Sequence, residues 1–158
     1  MDRKIAIKKL ASRINLMLPC IYSEELTAHA LVIPFLQIVG ADEKIPESGS
    51  AISMLMKRRN GHSNFAIFQY NKLNIMVAYS HHQHNMDECK TFLNDYWRKF
   101  RSKFGLITNG IKYEMYSAAM IYRNDYSKPL FNFCITTTHA GKINSIINQY
   151  QDLLVLNL

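Results

Sequence analysis

The stretch NFAIFQYNKLNIMVAYSHHQHNMDECKTFLNDYWRKFRSKFGLITNGIKYEMYS, residues 64–117, decides the fold. Its first two segments, NFAIFQY (64–70) and LNIMVAYS (73–80), are short runs rich in Ile, Val, Phe and Tyr joined across Asn71-Lys72, which is the pattern of a β-hairpin. After a polar break, residues 86–100 place Cys89, Phe92, Leu93, Tyr96 and Phe100 at intervals of three and four, with Lys90, Asn94, Asp95, Arg98 and Lys99 elsewhere. That spacing predicts an amphipathic helix. Residues 104–108 return as a strand, Asn109-Gly110 supplies the strongest hairpin signal in the chain, and residues 111–116 run back.

Outward from this core, residues 2–18 place Ile7, Leu10, Ala11, Ile14, Met17 and Leu18 on one helical stripe and end at Pro19. The basic residues Arg3, Lys4, Lys8, Lys9 and Arg13 lie mostly outside the stripe, and read first as a solvated face and second as a phosphate-binding ridge. Ser23 is a fair N-cap for a second helix, with Glu24 and Glu25 in its first turn and Gly40 beyond its end. Pro34 is expected to kink that helix, because Phe35, Leu36, Ile38 and Val39 continue its apolar pattern. Residues 41–50 read as a polar loop, 51–56 as a short strand and 57–61 as a basic turn. Beyond the central stretch, residues 117–127 give no clear pattern, 130–135 read as a strand and 140–154 as a helix with Ile143, Ile146, Ile147, Tyr150 and Leu154 inward.

The chain has 158 residues, 48% hydrophobic and 11% aromatic, which suits one domain with a buried core and argues against disorder. No repeat or linker divides it, so residues 1–158 are expected to form a single domain, with 1–18 as a helical extension. The longest apolar run, residues 28–40, is broken by His29, Pro34 and Gln37 and is too short to span a bilayer. Residues 1–18 carry charges through their apolar positions rather than a signal-peptide layout, so a cytoplasmic protein without a membrane partner is expected. Cys20, Cys89 and Cys134 are widely spaced within apolar runs and read as buried free thiols ahead of a disulfide or metal role. A net charge of +7 fits an anionic partner, although it speaks to association rather than to fold.

The segments EELT (24–27), ALVIPFL (30–36) with Val39-Gly40, NFAIF (64–68), FGLITNGIKYEMY (104–116) and KPLFNF (128–133) occur in an order that carries more than any one of them. Together, over about residues 22–150, they resemble the N-terminal nuclease domain of type I restriction enzyme R subunits and its stand-alone phage and prophage relatives, within the PD-(D/E)xK superfamily. The resemblance implies a restriction-endonuclease-like α/β three-layer sandwich, with a mixed central sheet of four to five strands flanked by helices. In that family an acid on the first hairpin strand and a glutamate on the second bind Mg²⁺, and a lysine two residues on activates water. By resemblance, Asn64 stands at the aspartate, Ala78 at the glutamate and Ser80 at the lysine; Phe92 and Tyr96 stand at a Gln-x-x-x-Tyr pair that many relatives carry. Only Tyr96 keeps the family residue. Without two carboxylates little holds a divalent ion, so no cofactor is expected and the fold reads as a nuclease that has lost cleavage.

Glu88-Cys89-Lys90 spells the "E-C-K" of active relatives, but the helical spacing that follows puts it in a first helical turn rather than on the buried strand the motif needs. A relocated site, with Lys90 on the helix and Glu24 or Glu25 supplying acid, is the remaining enzymatic reading. His81, His82 and His84 crowd the loop after the second strand, and read as a solvated loop before a Zn²⁺ site, since neither His-x-x-x-His nor Cys-x-x-Cys spacing accompanies them. The DNA-binding candidates are Lys57, Arg58 and Arg59 on one turn, Arg98, Lys99, Arg101 and Lys103 around the helix end, and, as a minority reading, Asn109 in its turn. The leading expectation is a non-cleaving domain that binds double-stranded DNA. Next comes a phage or mobile-element module that engages a host nuclease or restriction complex, or pairs with itself, and third the relocated metal nuclease.

Overall fold

The computed structural model describes residues 2–41, 50–54, 64–69 and 72–150. Helix α1, Arg3–Met17, starts where the Asp2 carboxylate accepts the Lys4 N–H, and it buries Ile7, Leu10 and Ile14, the heart of its apolar stripe. The next helix opens as α2, Glu24–Thr27, capped by the Ser23 hydroxyl on the Leu26 N–H (3.1 Å). It widens into a π-helical turn at Ala28–Val32 and resumes as α3, Ile33–Ile38. Pro34 sits in the first turn of α3, where the missing N–H matters least, so the expected kink is realised as a wide turn placed just before the proline.

The strands are β1 (Ser50–Met54), β2 (Asn64–Gln69), β3 (Lys72–Tyr79), β4 (Phe104–Thr108), β5 (Lys112–Ser117) and β6 (Phe131–Cys134). They lie side by side in sequence order, with every pairing antiparallel except β3 with β4. The one parallel step requires a crossover, and α4, Asp87–Phe100, supplies it. The mixed sheet flanked by helices is therefore present as expected, and it runs to six strands because both short end segments pair. β3 reads as a continuous apolar run because both its faces are covered, and residues 75–79 are all at most 3% exposed.

Helices α1, α3 and α6 (Ala140–Gln149) cover one face of the sheet through Ile75, Val77, Leu106, Tyr113, Met115 and Phe133. There Phe35, Tyr113 and Phe133 form an aromatic column with centroid separations of 4.3 Å and 5.2 Å. On the opposite face, α4 and the short α5, Ala118–Tyr122, press Cys89, Phe92, Leu93, Tyr96 and Ile121 onto Met76, Ala78, Ile107 and Tyr116. α5 fills the stretch the sequence left unassigned. The Ser117 hydroxyl caps it by accepting the Met120 N–H (3.3 Å). α4 approaches β4 closely because Gly105 has no side chain; a Cβ there would lie 2.5 Å from a Leu93 methyl.

The Asn109-Gly110 hairpin forms, with Thr108 and Tyr113 as its last cross-strand pair and Gly110 at φ +85°. Glu88-Cys89-Lys90 lies in the first turn of α4, as its spacing indicated. The cysteines are free, but Cys20 corrects the expectation of burial: the short turn Leu18–Cys20 after α1 leaves it exposed. No helix of the described residues is long and apolar enough to cross a membrane.

Candidate functional site

The positions that the resemblance assigns to a catalytic site lie toward the C-terminal end of β3. Asn64 is the cross-strand partner of Ala78, so the two positions assigned to metal carboxylates stand directly opposite each other in the ladder. Ala78 is fully buried in the cluster that holds Phe92 and Tyr96, whose rings pack 4.6 Å apart on α4. Ser80, 1% exposed, donates its backbone N–H to the Thr108 carbonyl (3.0 Å) and its hydroxyl to the His81 carbonyl (3.5 Å). Burial pushes the Cys89 thiol up to about 12, outweighing the lowering by the Ser80 hydroxyl, and an un-ionised thiol is a poor nucleophile and metal ligand. The end of β3 is thus plugged by an apolar side chain, a hydroxyl and a neutral thiol. Lys90 does not turn toward it: its ammonium pairs with Asp87 (3.3 Å) and lies 5.9 Å above the Tyr126 ring.

The histidines after β3 form a clip. His81 and His82 both direct Nε2 at the Ile21 carbonyl, at 3.1 Å and 2.8 Å, tying this loop to the segment that leads into α2. His81 Nδ1 accepts the Gln83 N–H (3.2 Å), which fixes the Nε2–H tautomer and a neutral ring. With both nitrogens engaged, His81 has none left for a metal. Among the described residues no group of three or more His, Cys, Asp or Glu side chains could hold an ion. The expectation of a solvated loop is corrected for His81, which is 6% exposed because the Ile21 carbonyl draws it inward. His84 remains exposed, with its ring 5.0 Å from that of His81. Beside them Tyr22, Ser23, Glu24 and Glu25 complete a shallow cleft of about 490 Å³. Glu24 and Glu25, read from the sequence as first-turn acids and as the acid of a relocated site, line this cleft, while Lys90 pairs with Asp87 instead.

Burial holds the His81 imidazole below its ordinary 6.5, helped by repulsion from His82 and His84 and opposed by the Ile21 carbonyl. Above 6.5 both folded and unfolded chains carry it neutral and its contribution is complete. As pH falls from there the unfolded chain takes the proton first, so stability is lost until the folded-state value is passed. His81→Gln keeps an N–H for Ile21 but binds no proton. Its melting temperature is expected to fall less than that of the parent between about pH 7 and about pH 5.5, and parallel curves for the two proteins would contradict this assignment.

Asn109 takes the structural part in its turn that the sequence gave it first, and serves as an internal brace. It is 8% exposed, its Oδ1 accepts the Ile111 and Lys112 N–H groups (3.0 Å and 2.8 Å), and its Nδ2 donates to the His82 carbonyl (3.3 Å). A side chain so engaged holds the turn against the histidine clip and has little left for a ligand.

The remaining basic candidates lie elsewhere. α4 runs back along the sheet, so its last turn meets the start of β3 and β4, where the Lys103 N–H bonds the Asn74 carbonyl (3.1 Å). Arg98, Lys99, Arg101 and Lys103 are exposed at that end, across the sheet from Ala78 and Asn109. Lys57, Arg58 and Arg59 lie outside the described residues. A groove of about 670 Å³ opens beside the α4 end, lined by Asn94, Trp97, Arg98, Arg101, Ile121 and Tyr122. A second basic groove, about 600 Å³, runs between α1 and α3 past Arg3, Lys9 and Arg13, with Arg3 held by the Asn148 amide oxygen (2.8 Å). Against known proteins, the chain matches no family model, no curated protein and no solved structure.

Proposed function

We propose that this chain is a PD-(D/E)xK nuclease-like domain that has lost cleavage and binds double-stranded DNA without cutting it. One observation carries the reading: Asn64 is registered against Ala78, and Ala78 shares its apolar cluster with Phe92 and Tyr96. Positions that resemblance assigned separately meet in space, at the place where an active relative needs two carboxylates, and they bring none. The connectivity is in keeping with it, since three antiparallel strands are followed by a helix and a strand parallel to the third. An Mg²⁺ ion at such an apolar site would lack the oxygen ligands that offset its dehydration.

The DNA half of the reading rests on the net charge of +7 and on Arg98, Lys99, Arg101 and Lys103, exposed together at one end of the sheet. Phosphate contacts by all four would release counterions and give a slope of log affinity against log salt of roughly −3 to −4. The test is fluorescence anisotropy of a labelled duplex over a salt series. Arg98→Ala combined with Arg101→Ala is expected to make the slope shallower by about 2 without altering any sequence preference. Affinity that barely changes with salt would count against DNA. It would favour the second reading, a module for a host protein or a second copy, for which exposed Leu16 and Tyr22 offer apolar contacts.

A further inference from the structure

Duplex binding through phosphates makes no use of the two aromatic rings in the groove at the end of α4. Tyr122, the last residue of α5, is 75% exposed, and its ring stands edge-on to Trp97 with centroids 5.8 Å apart and planes at 67°. One exposed tyrosine is unremarkable on a protein surface, but its surroundings are organised. Trp97 is held by its indole N–H on the Ser102 carbonyl (2.8 Å). Asn94 is fixed between Asn124, to which its amide donates (2.6 Å), and the Tyr126 hydroxyl, which donates to it (2.6 Å). Ile121, 2% exposed, belongs to the core behind the groove.

Against these fixed walls the groove's charged members are two arginines, and none of its lining residues is acidic. Arg101 ends α4 in the left-handed conformation (φ 50°), with its N–H on the Trp97 carbonyl (2.7 Å). The helix C-terminus brings only about half a negative charge, which Arg98 and Arg101 together outweigh. A volume of about 670 Å³ lies within the range of small-molecule sites, roughly 300–1,000 Å³.

A groove lined by two aromatic rings and two arginines suits a nucleobase together with its neighbouring phosphates. Bases within a duplex are stacked and hide their faces, whereas unpaired bases present them to aromatic side chains. We propose that this groove takes an unpaired base of single-stranded DNA, stacked on Tyr122 beside Trp97, with the adjoining phosphates on Arg98 and Arg101. The proposal rests on the DNA-binding reading for its ligand class and adds to it a strand-separated or overhanging substrate.

Trp97 is the sole tryptophan of the chain, so its fluorescence reports on the groove directly. The experiment titrates the full chain and Tyr122→Ala with an oligothymidylate of about eight nucleotides and with a blunt duplex of similar length. Quenching by the oligothymidylate is expected, with affinity reduced by about tenfold or more in Tyr122→Ala and duplex affinity unchanged within about twofold. Because Tyr122 is exposed, the substitution leaves the core intact. Arg101→Asn, which tolerates the left-handed conformation, is expected to weaken both ligands. Duplex binding without any oligothymidylate quenching, or Tyr122→Ala binding the oligothymidylate as tightly as the parent, would overturn the base pocket and leave the duplex reading standing. Tyr122-dependent oligothymidylate binding without duplex binding would do the reverse. Binding of neither would overturn both.

Discussion

Ala78→Glu is expected to cost at least about 4 kcal/mol, a large part of the roughly 5–15 kcal/mol that holds a domain of this size together. Ala78 is fully buried, and its neighbours in the cluster are Met76, Cys89, Phe92 and Ile107. The longer side chain must displace atoms from a filled layer, which alone costs about 1–3 kcal/mol, and its carboxyl must then either ionise without a partner or stay protonated in apolar surroundings. Calorimetry or circular dichroism should record a fall in melting temperature of about 10 °C or more. A variant that melted with the parent, or that Mg²⁺ restored, would show that this end of β3 is open enough for metal chemistry. Ala78→Glu therefore tests whether this end of β3 can hold a metal-binding carboxylate.

Gly110→Ala carries the second largest expected effect, about 3 kcal/mol of destabilisation, for two independent reasons. Gly110 sits at φ +85°, where a side chain is strained, and an added Cβ would lie 2.8 Å from the Leu31 Cβ. Leu31 is fully buried in the π-helical turn and cannot retreat without moving the helix. The melting temperature is expected to drop by roughly 6–12 °C. A drop of less than about 2 °C would mean that the turn can adopt another conformation and that the contact with Leu31 is not tight.

The parts of this fold that were legible in the sequence are those with long or strongly patterned signals. Residues 73–80 read as a hairpin strand, and α4 declared itself by three- and four-residue spacing. Ser23 announced a cap that the Leu26 N–H uses. Ser117 caps α5 in the same way, but a helix of only Ala118–Tyr122 is shorter than two turns and leaves no periodicity to detect. That is why Tyr122, the exposed wall of the base pocket, was missed. The role of Asn109 was half legible: the Asn-Gly pair gave the turn, but the bond from its amide to the His82 carbonyl joins two loops distant in sequence. The same holds for His81, whose burial follows from a carbonyl 60 residues earlier. The charges of Arg98 to Lys103 were plain as composition, whereas their position across the sheet from Ala78 follows only from the crossover. Local chemistry could be read along the chain; which ends of the sheet it would occupy could not.

The central claim is that the chain binds duplex DNA and leaves it intact. It is tested most directly by a gel shift of linear duplex and supercoiled plasmid at low and high salt, run once with Mn²⁺ and once with a chelator. The account predicts a shift at low salt that weakens steeply as salt rises, the same with and without the metal, with the plasmid still supercoiled in every lane. Mn²⁺-dependent nicking would contradict the loss of cleavage, and the absence of any shift at low salt would contradict the DNA partner.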